Sequence, residues 1–282
     1  MLFPVHAFAQ TPASHNASEP RASMDVMQIP THGVRVNAMV YVAAGSEPHP
    51  LVLLLHGFPG YERNLDLAQD MRRAGWDVVY FDYRGSWGSP GDFSITHSIE
   101  DAEAALTYLR KPENVKRLRF DPARMVVVGH SMGGFMAVQT VAADPNVKAL
   151  AIISGSDWGE RYVQLRKKEP LDTSLHMVSV GLAAQNMAPL SGCTPEGLAR
   201  ELADHASSWT FASKVGALKN RPVLVVTSDD GLAGEGGALA DALRHAGDTQ
   251  VTTAHFPTDH SYSDQRRELS DAVLKWLTPL AK

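Results

Sequence analysis

From residue 50 onward the chain alternates short, uniformly apolar runs with stretches whose apolar positions recur at helical spacing. The runs are Leu51–His56, Trp76–Asp82, Met125–Gly129, Val147–Ser154, Pro222–Ser228 and Val251–Phe256. They are continuous rather than alternating, the pattern of strands buried on both faces of a parallel sheet. Upstream, Val26–Pro30 and Val34–Ala43 flank Thr31-His32-Gly33, which predicts an antiparallel hairpin at the sheet edge. Helical periodicity covers about Asn64–Ala74, Ile99–Arg110, Met132–Ala143, Gly236–Ala246 and Ser263–Leu277. Strands and helices in alternation imply helices on both faces of one sheet, so the expected class is α/β with about eight mostly parallel strands.

One connection breaks the rhythm. Residues 155–221 separate the run ending near Ser154 from the run starting at Pro222, far more chain than a crossover needs. The segment carries Trp158, Tyr162, Leu165, Met177, Met187 and Trp209 among polar residues. Long insertions at the carboxyl end of a strand commonly carry function. The expectation is a helical cap over the sheet's carboxyl edge, with Trp158 and Met187 facing a substrate pocket. A helical insertion packed on the side of the domain is the alternative.

Composition narrows the class. With 282 residues, 44% hydrophobic and 20% charged, the chain fits a single large α/β domain, expected over residues 22–282. A net charge of −5 without a long basic run gives nucleic acid or an anionic membrane little electrostatic support as partner. The basic stretch Arg161–Lys168 reads as a solvated helix face. Cys193 is the only cysteine, which excludes an intrachain disulfide and a cysteine-based zinc site, and it reads as a small filler. No stretch approaches the roughly 18 apolar residues of a membrane span. At the N-terminus, Ala7-Phe8-Ala9-Gln10 resembles the cleavage end of an export signal, although a charged leader is missing and the apolar part is short. The expectation is a signal remnant or disordered tail over residues 1–21 and a periplasmic or secreted location, with a cytoplasmic one as the alternative.

The chemistry concentrates at one junction. Gly129-His130-Ser131-Met132-Gly133 fits G-x-S-x-G, with an apolar run before it and a helical pattern after it. A sharp strand-to-helix turn exposes the serine hydroxyl at the top of the sheet, and glycines at −2 and +2 relieve the crowding there. A serine hydroxyl is a weak nucleophile and needs a base within hydrogen-bond reach. Asp229-Asp230-Gly231 follows the run Pro222–Ser228, and Asp259-His260-Ser261 follows Val251–Phe256. Of the twelve histidines, three follow the acid loop: His245 in a helical pattern, His255 in a strand and His260 in a loop. His260 is therefore the expected base. Asp230 is the expected acid and Asp229 its alternative, the other of the two capping the turn.

His56-Gly57-Phe58-Pro59-Gly60, Asp82-Tyr83-Arg84-Gly85, the serine motif and Asp259-His260-Ser261 occur in the order of α/β-hydrolase landmarks. From about Val26 to Leu277 the chain resembles that superfamily, and within it the esterase and dienelactone-hydrolase-like branch, although dienelactone hydrolases use cysteine where Ser131 stands. The resemblance implies a cofactor-free serine hydrolase acting on a small-molecule ester through an acyl-enzyme. Ser131 would be the nucleophile, with the amides of Phe58 and Met132 as the oxyanion hole. Activity should fall as a histidine base protonates, around pH 6–7. The GSWGSPG segment reads as a structural turn, and GLAGEGG as a flexible loop supporting the acid. The latter matches neither dinucleotide nor P-loop spacing, and no H-E-x-x-H is present. A peptidase or amidase on the same fold and a non-catalytic ligand-binding protein are the alternatives. Oligomeric state is left open.

Overall fold

The computed structural model describes residues 19–282, so the tail expected over 1–21 lies almost wholly outside the described residues. The strands are β1 (Ser23–Thr31), β2 (Val34–Val42), β3 (His49–Leu55), β4 (Asp77–Phe81), β5 (Phe120–His130), β6 (Ala149–Ile153), β7 (Val223–Ser228) and β8 (Val251–Phe256). They form one sheet in the order β1-β2-β4-β3-β5-β6-β7-β8. The β1–β2 hairpin sits at the edge and joins β4 antiparallel, and the remaining pairings are parallel.

The apolar runs are continuous because both faces of the sheet are covered. Leu51, Leu53 and Leu55 of β3 point into one core cluster, while Val52 and Leu54 point into the other. The second cluster is closed by α1 (Leu65–Arg73), through Leu67 and Met71, and by the final helix, Arg266–Leu277, through Leu269, Val273 and Trp276. On the opposite face lie α2 (Ile95–Leu109), the short α3 (Pro112–Leu118) and α4 (Met132–Ala143). Residues between β6 and β7 form α5 (Trp158–Lys168), α6 (Leu171–Ala183), α7 (Pro195–His205) and the single turn α8 (Val215–Leu218). After β7 comes α9 (Ala233–His245), and the final helix is α10.

The Asp82–Pro90 segment is a turn after β4. Arg84 fastens it to α2 and β1 by donating its backbone amide and Nε to the buried Asp101 carboxylate (2.7 and 2.6 Å), which also accepts the Thr31 hydroxyl (2.7 Å). Cys193 is half-buried against the larger core cluster.

Asp77, wholly buried at the start of β4, accepts the Ala43 amide at 2.8 Å through Oδ1, while its Oδ2 has no partner. Burial pushes its carboxyl up to about 7. The native state thus keeps a proton that the unfolded chain releases near pH 4. Between about pH 4 and 7 this group lowers stability as pH rises, by a few kcal/mol at most, and its effect is constant above that window. Asp77→Asn is expected to raise the melting temperature at pH 8 more than at pH 5. Equal changes at the two pH values would contradict this.

Candidate active site

Ser131 connects β5 to α4 with φ 58° and ψ −121°, a conformation that costs a non-glycine residue about 1–3 kcal/mol. Its backbone is fixed on several sides. The Ser131 amide donates to the Ile153 carbonyl (2.9 Å), and its own carbonyl accepts from the amides of Gly134 (3.0 Å), Phe135 (3.3 Å) and Ser156 (3.3 Å). The flanking glycines are steric necessities. A Cβ at position 129 would stand 2.0 Å from the Gly133 carbonyl oxygen, and one at 133 would stand 2.1 Å from that of Leu55. The loop after β3 closes over the same point, since a Cβ at position 57 would lie 2.9 Å from Ser131 Cβ and 3.3 Å from its Oγ. Met132 is the first residue of α4, so its amide has no intrahelical acceptor, and the helix dipole favours negative charge beside it.

The acid and base candidates meet at the ends of β7 and β8. His260 Nδ1 lies 2.7 Å from Asp230 Oδ2, and Asp230 Oδ1 accepts the Leu232 amide at 2.8 Å. Burial by itself would raise the Asp230 carboxyl, but the hydrogen bonds from His260, Ser154 and the Leu232 amide outweigh it and hold the group below the usual carboxylate range. Because a carboxylate accepts at Nδ1, that nitrogen carries the proton and Nε2 presents a lone pair.

Asp229 takes no part in this pair. Its carboxylate is exposed beside His255 (3.2 Å), and its amide donates to the Thr258 carbonyl (3.1 Å). The turn-capping bond expected of the second aspartate is made by Asp230 itself.

The motif histidine has a role that sequence spacing did not reveal. His130 Nε2 donates to the His260 carbonyl at 2.8 Å, and the two rings lie 4.8 Å apart. Burial first, and the neighbouring His260 second, push His130 down to about 3, so it stays neutral and anchors the loop as a fixed donor.

Ser131, Asp230, His260 and Phe58 line one cavity of about 670 Å³, whose remaining wall comes largely from α5 and α6, through Trp158, Tyr162, Leu165, Met177 and Leu182. Phe58 and Trp158 meet edge to face with ring centroids 5.7 Å apart. Met187, expected at this pocket, is not among the lining side chains. It follows the end of α6 and packs against the core, in a linker fastened to the Asp82–Pro90 turn by Trp87 N–H to Pro189 O (2.9 Å) and Ser191 N–H to Gly85 O (2.8 Å). The stretch Arg161–Lys168 is not simply a solvated face either, because Arg161, Tyr162 and Leu165 turn toward the cavity.

GLAGEGG is also not a loop through its length, since α9 starts at Ala233. Glu235, in its first turn, is a residue the sequence reading missed. It accepts from the Asp157 amide (2.5 Å), the Ser156 hydroxyl (3.2 Å) and Arg161 (3.3 Å), joining the segment after β7 to the start of α5. Among the described residues no group of three or more His, Cys, Asp or Glu side chains is placed to hold a metal ion, and no helix is long and apolar enough to cross a membrane.

An eight-stranded, mostly parallel sheet with helices on both faces and these landmarks defines an α/β-hydrolase. Residues 46–193, just over half of the chain, match the model of the Hydrolase_4 family, described as serine aminopeptidase S33, and the chain belongs to that family. It is similar to the quorum-quenching protein AidA of Acinetobacter baumannii (strain MDR-ZJ06), 27% identical over 58% of this chain and 53% of that protein. A like similarity, 27% over 64% of this chain and 51% of the relative, links it to the sn-1-specific diacylglycerol lipase ABHD11 of Xenopus tropicalis. The chain thus spans about half the length of these two relatives. Among solved structures, a lipase in its open form superposes with a TM-score of 0.68 at 18% identity, covering 92% of this chain and all (100%) of the other. The thermostable carboxylesterase EstE1 from a metagenomic library gives a TM-score of 0.65 at 21% identity, covering 94% of this chain and 92% of the other. At these identities the two superpositions speak for the fold alone.

Proposed function

We propose that this protein, a member of a hydrolase family, is a serine esterase that cleaves small carboxylic esters through an acyl-enzyme. The observation that carries the reading is the Asp230–His260 pair at 2.7 Å, opening into the same cavity as a serine held in a strained turn. Ser131 Oγ attacks the ester carbonyl while His260 Nε2 takes its proton. Asp230 keeps the imidazole in the tautomer with Nδ1 protonated and stabilises the imidazolium that forms. The amides of Phe58 and Met132 receive the oxyanion, each such donor contributing about 3–4 kcal/mol of barrier lowering. His260 then returns the proton to the leaving alcohol, and water repeats the sequence on the acyl-enzyme. Residues 155–221 act as a cap whose apolar wall receives the hydrophobic part of the substrate.

The aminopeptidase name of the family supplies the second reading. An aminopeptidase must neutralise a substrate ammonium group with carboxylates, yet among the described residues Asp230 is the one carboxylate lining the cavity, and it is committed to His260. Glu160 and Glu169 are not among the lining residues. The diacylglycerol lipase name of one relative favours an ester in turn. A panel of p-nitrophenyl esters of increasing acyl length beside aminoacyl anilides tests the choice. Ester turnover well above anilide turnover is the expected result, and anilides cleaved as fast as the best ester would put the peptidase reading first.

A further inference from the structure

Beneath the Asp230–His260 pair lies a buried cluster of hydroxyls that the reaction scheme does not use. Ser154 Oγ is 2.9 Å from Tyr262 Oη and 3.0 Å from Ser228 Oγ. Ser154 is 2% exposed, and Ser228 and Tyr262 are wholly buried. Two members sit at strand ends and the third in the loop after β8. Ser154 directly follows β6, Ser228 is the last residue of β7 and two positions before Asp230, and Tyr262 is two positions after His260.

We propose that Tyr262 is a positioning residue for the reaction: through its hydroxyl's bond to Ser154, shared with Ser228, it fixes the spacing between the loop that carries Asp230 and the loop that carries His260. The inference rests on the reading of these residues as the acid and base of a hydrolase.

Three observations support it. First, Ser154 Oγ meets both Tyr262 Oη and Ser228 Oγ, so one buried contact point of the cluster ties the end of β6 to the segment leading into Asp230 and to the segment following His260. Second, two of its three members sit in the left-handed region, Ser154 at φ 44° and Tyr262 at φ 57°. For a residue as bulky as tyrosine that conformation is an outlier, retained where the surroundings over-determine it. Third, Tyr262 is tied at both ends. Its amide donates to the Asp259 carbonyl (3.0 Å), beside His260, and its ring packs edge-on against Phe256 of β8 with centroids 6.1 Å apart. Removing the hydroxyl releases the link between the two loops while the ring keeps its packing.

The test compares wild type with Tyr262→Phe, Ser154→Ala and the double variant. Two readouts are needed: kcat and KM on the best ester, and the far-downfield proton resonance of His260 Nδ1–H, which reports its bond to Asp230 whether or not the protein turns over any ester. Tyr262→Phe is expected to lower kcat by roughly 10- to 100-fold with KM within about twofold, the size of effect that small misplacement of reacting groups produces. The Nδ1 proton signal should weaken through exchange with water. Ser154→Ala should reproduce both effects, and the double variant should add little, as for residues acting through one contact. Unchanged kcat and an unchanged Nδ1 signal in Tyr262→Phe would reduce Tyr262 to a core filler and overturn the proposal. Should Tyr262→Phe fail to fold, Ser154→Ala and Ser228→Ala carry the same comparison. A wild type that shows the Nδ1 signal but hydrolyses no ester would defeat the esterase reading, while the effect of Tyr262→Phe on that signal would still decide the positioning claim.

Discussion

Ser131→Ala is expected to abolish ester turnover, lowering kcat by about 10⁶-fold, as loss of an activated serine does in enzymes whose residues act as a unit. The protein should remain folded. The Ser131 hydroxyl makes no capping bond to α4, and the junction is held by backbone hydrogen bonds that alanine keeps. The flanking positions behave oppositely, because a Cβ at 129 or 133 drives into carbonyl oxygens and breaks the turn itself. A rate loss in Ser131→Ala with an unchanged melting temperature therefore separates chemistry from architecture. Residual activity within tenfold of wild type, taken as about 1.4 kcal/mol of barrier, would remove Ser131 from the reaction.

The second large effect falls on the acid. Asp230→Asn is expected to lower kcat by about 10⁴-fold, because an amide facing Nδ1 can donate and so stabilise the wrong imidazole tautomer. Asp229→Asn should leave the rate within about twofold, its carboxylate being exposed beside His255, where an ion pair is worth at most about 1 kcal/mol. Asp230 also links to stability. Its native carboxyl sits below the unfolded value, so its contribution is full above the ordinary carboxylate range and is lost as pH falls through the native value. The melting-temperature gap between wild type and Asp230→Asn should accordingly shrink on acidification. Equal rates for the two asparagine variants would mean that His260 is oriented by some other group.

The contrast between Asp229 and Asp230 shows where sequence reading stopped. Their order in the chain leaves both open, and what separates them is a φ of 83° at Gly231 and the Asx bond to Leu232, which turn Asp230 inward. The strands were legible because uninterrupted apolar runs have one use here, burial on both sides; their ends lie close to the expected ones except at β5, which begins at Phe120 rather than Met125. Helix ends were harder. α2 begins at Ile95, ahead of the expected Ile99, since Ser94 caps it locally and Glu201, from α7, accepts the amides of Ile95 and Thr96 (3.0 and 2.7 Å), a tertiary contact with no local signature. α10 starts at Arg266 because the Asp259 carboxylate captures the amides of Ser261 and Ser263 and holds them in a turn.

The helix α9 was expected from about Gly236, but its first residues, Ala233–Glu235, hid behind glycines: Gly234, Gly236 and Gly237 disfavour a helix by about 1 kcal/mol each. At Gly236 the reason is close approach, since a Cβ there would lie 3.0 Å from Val225 and 3.1 Å from Thr227 of β7. The α5–α6 wall was foreseeable as an insertion, but not which of its faces meets the cavity. Met177 and Leu182 line it, whereas Met187 falls beyond the end of α6. Buried networks were the least legible part. His130, Glu235 and the Ser154–Ser228–Tyr262 cluster each join elements far apart in the chain, and no spacing rule announces them.

The most direct measurement is the intact mass of wild type and of Ser131→Ala after incubation with a fluorophosphonate, which reacts with an activated serine. A single adduct on the wild type and none on the alanine variant is the predicted result. A folded wild type that stays unlabelled, or an alanine variant labelled as fully as the wild type, would contradict the assignment of Ser131 as nucleophile.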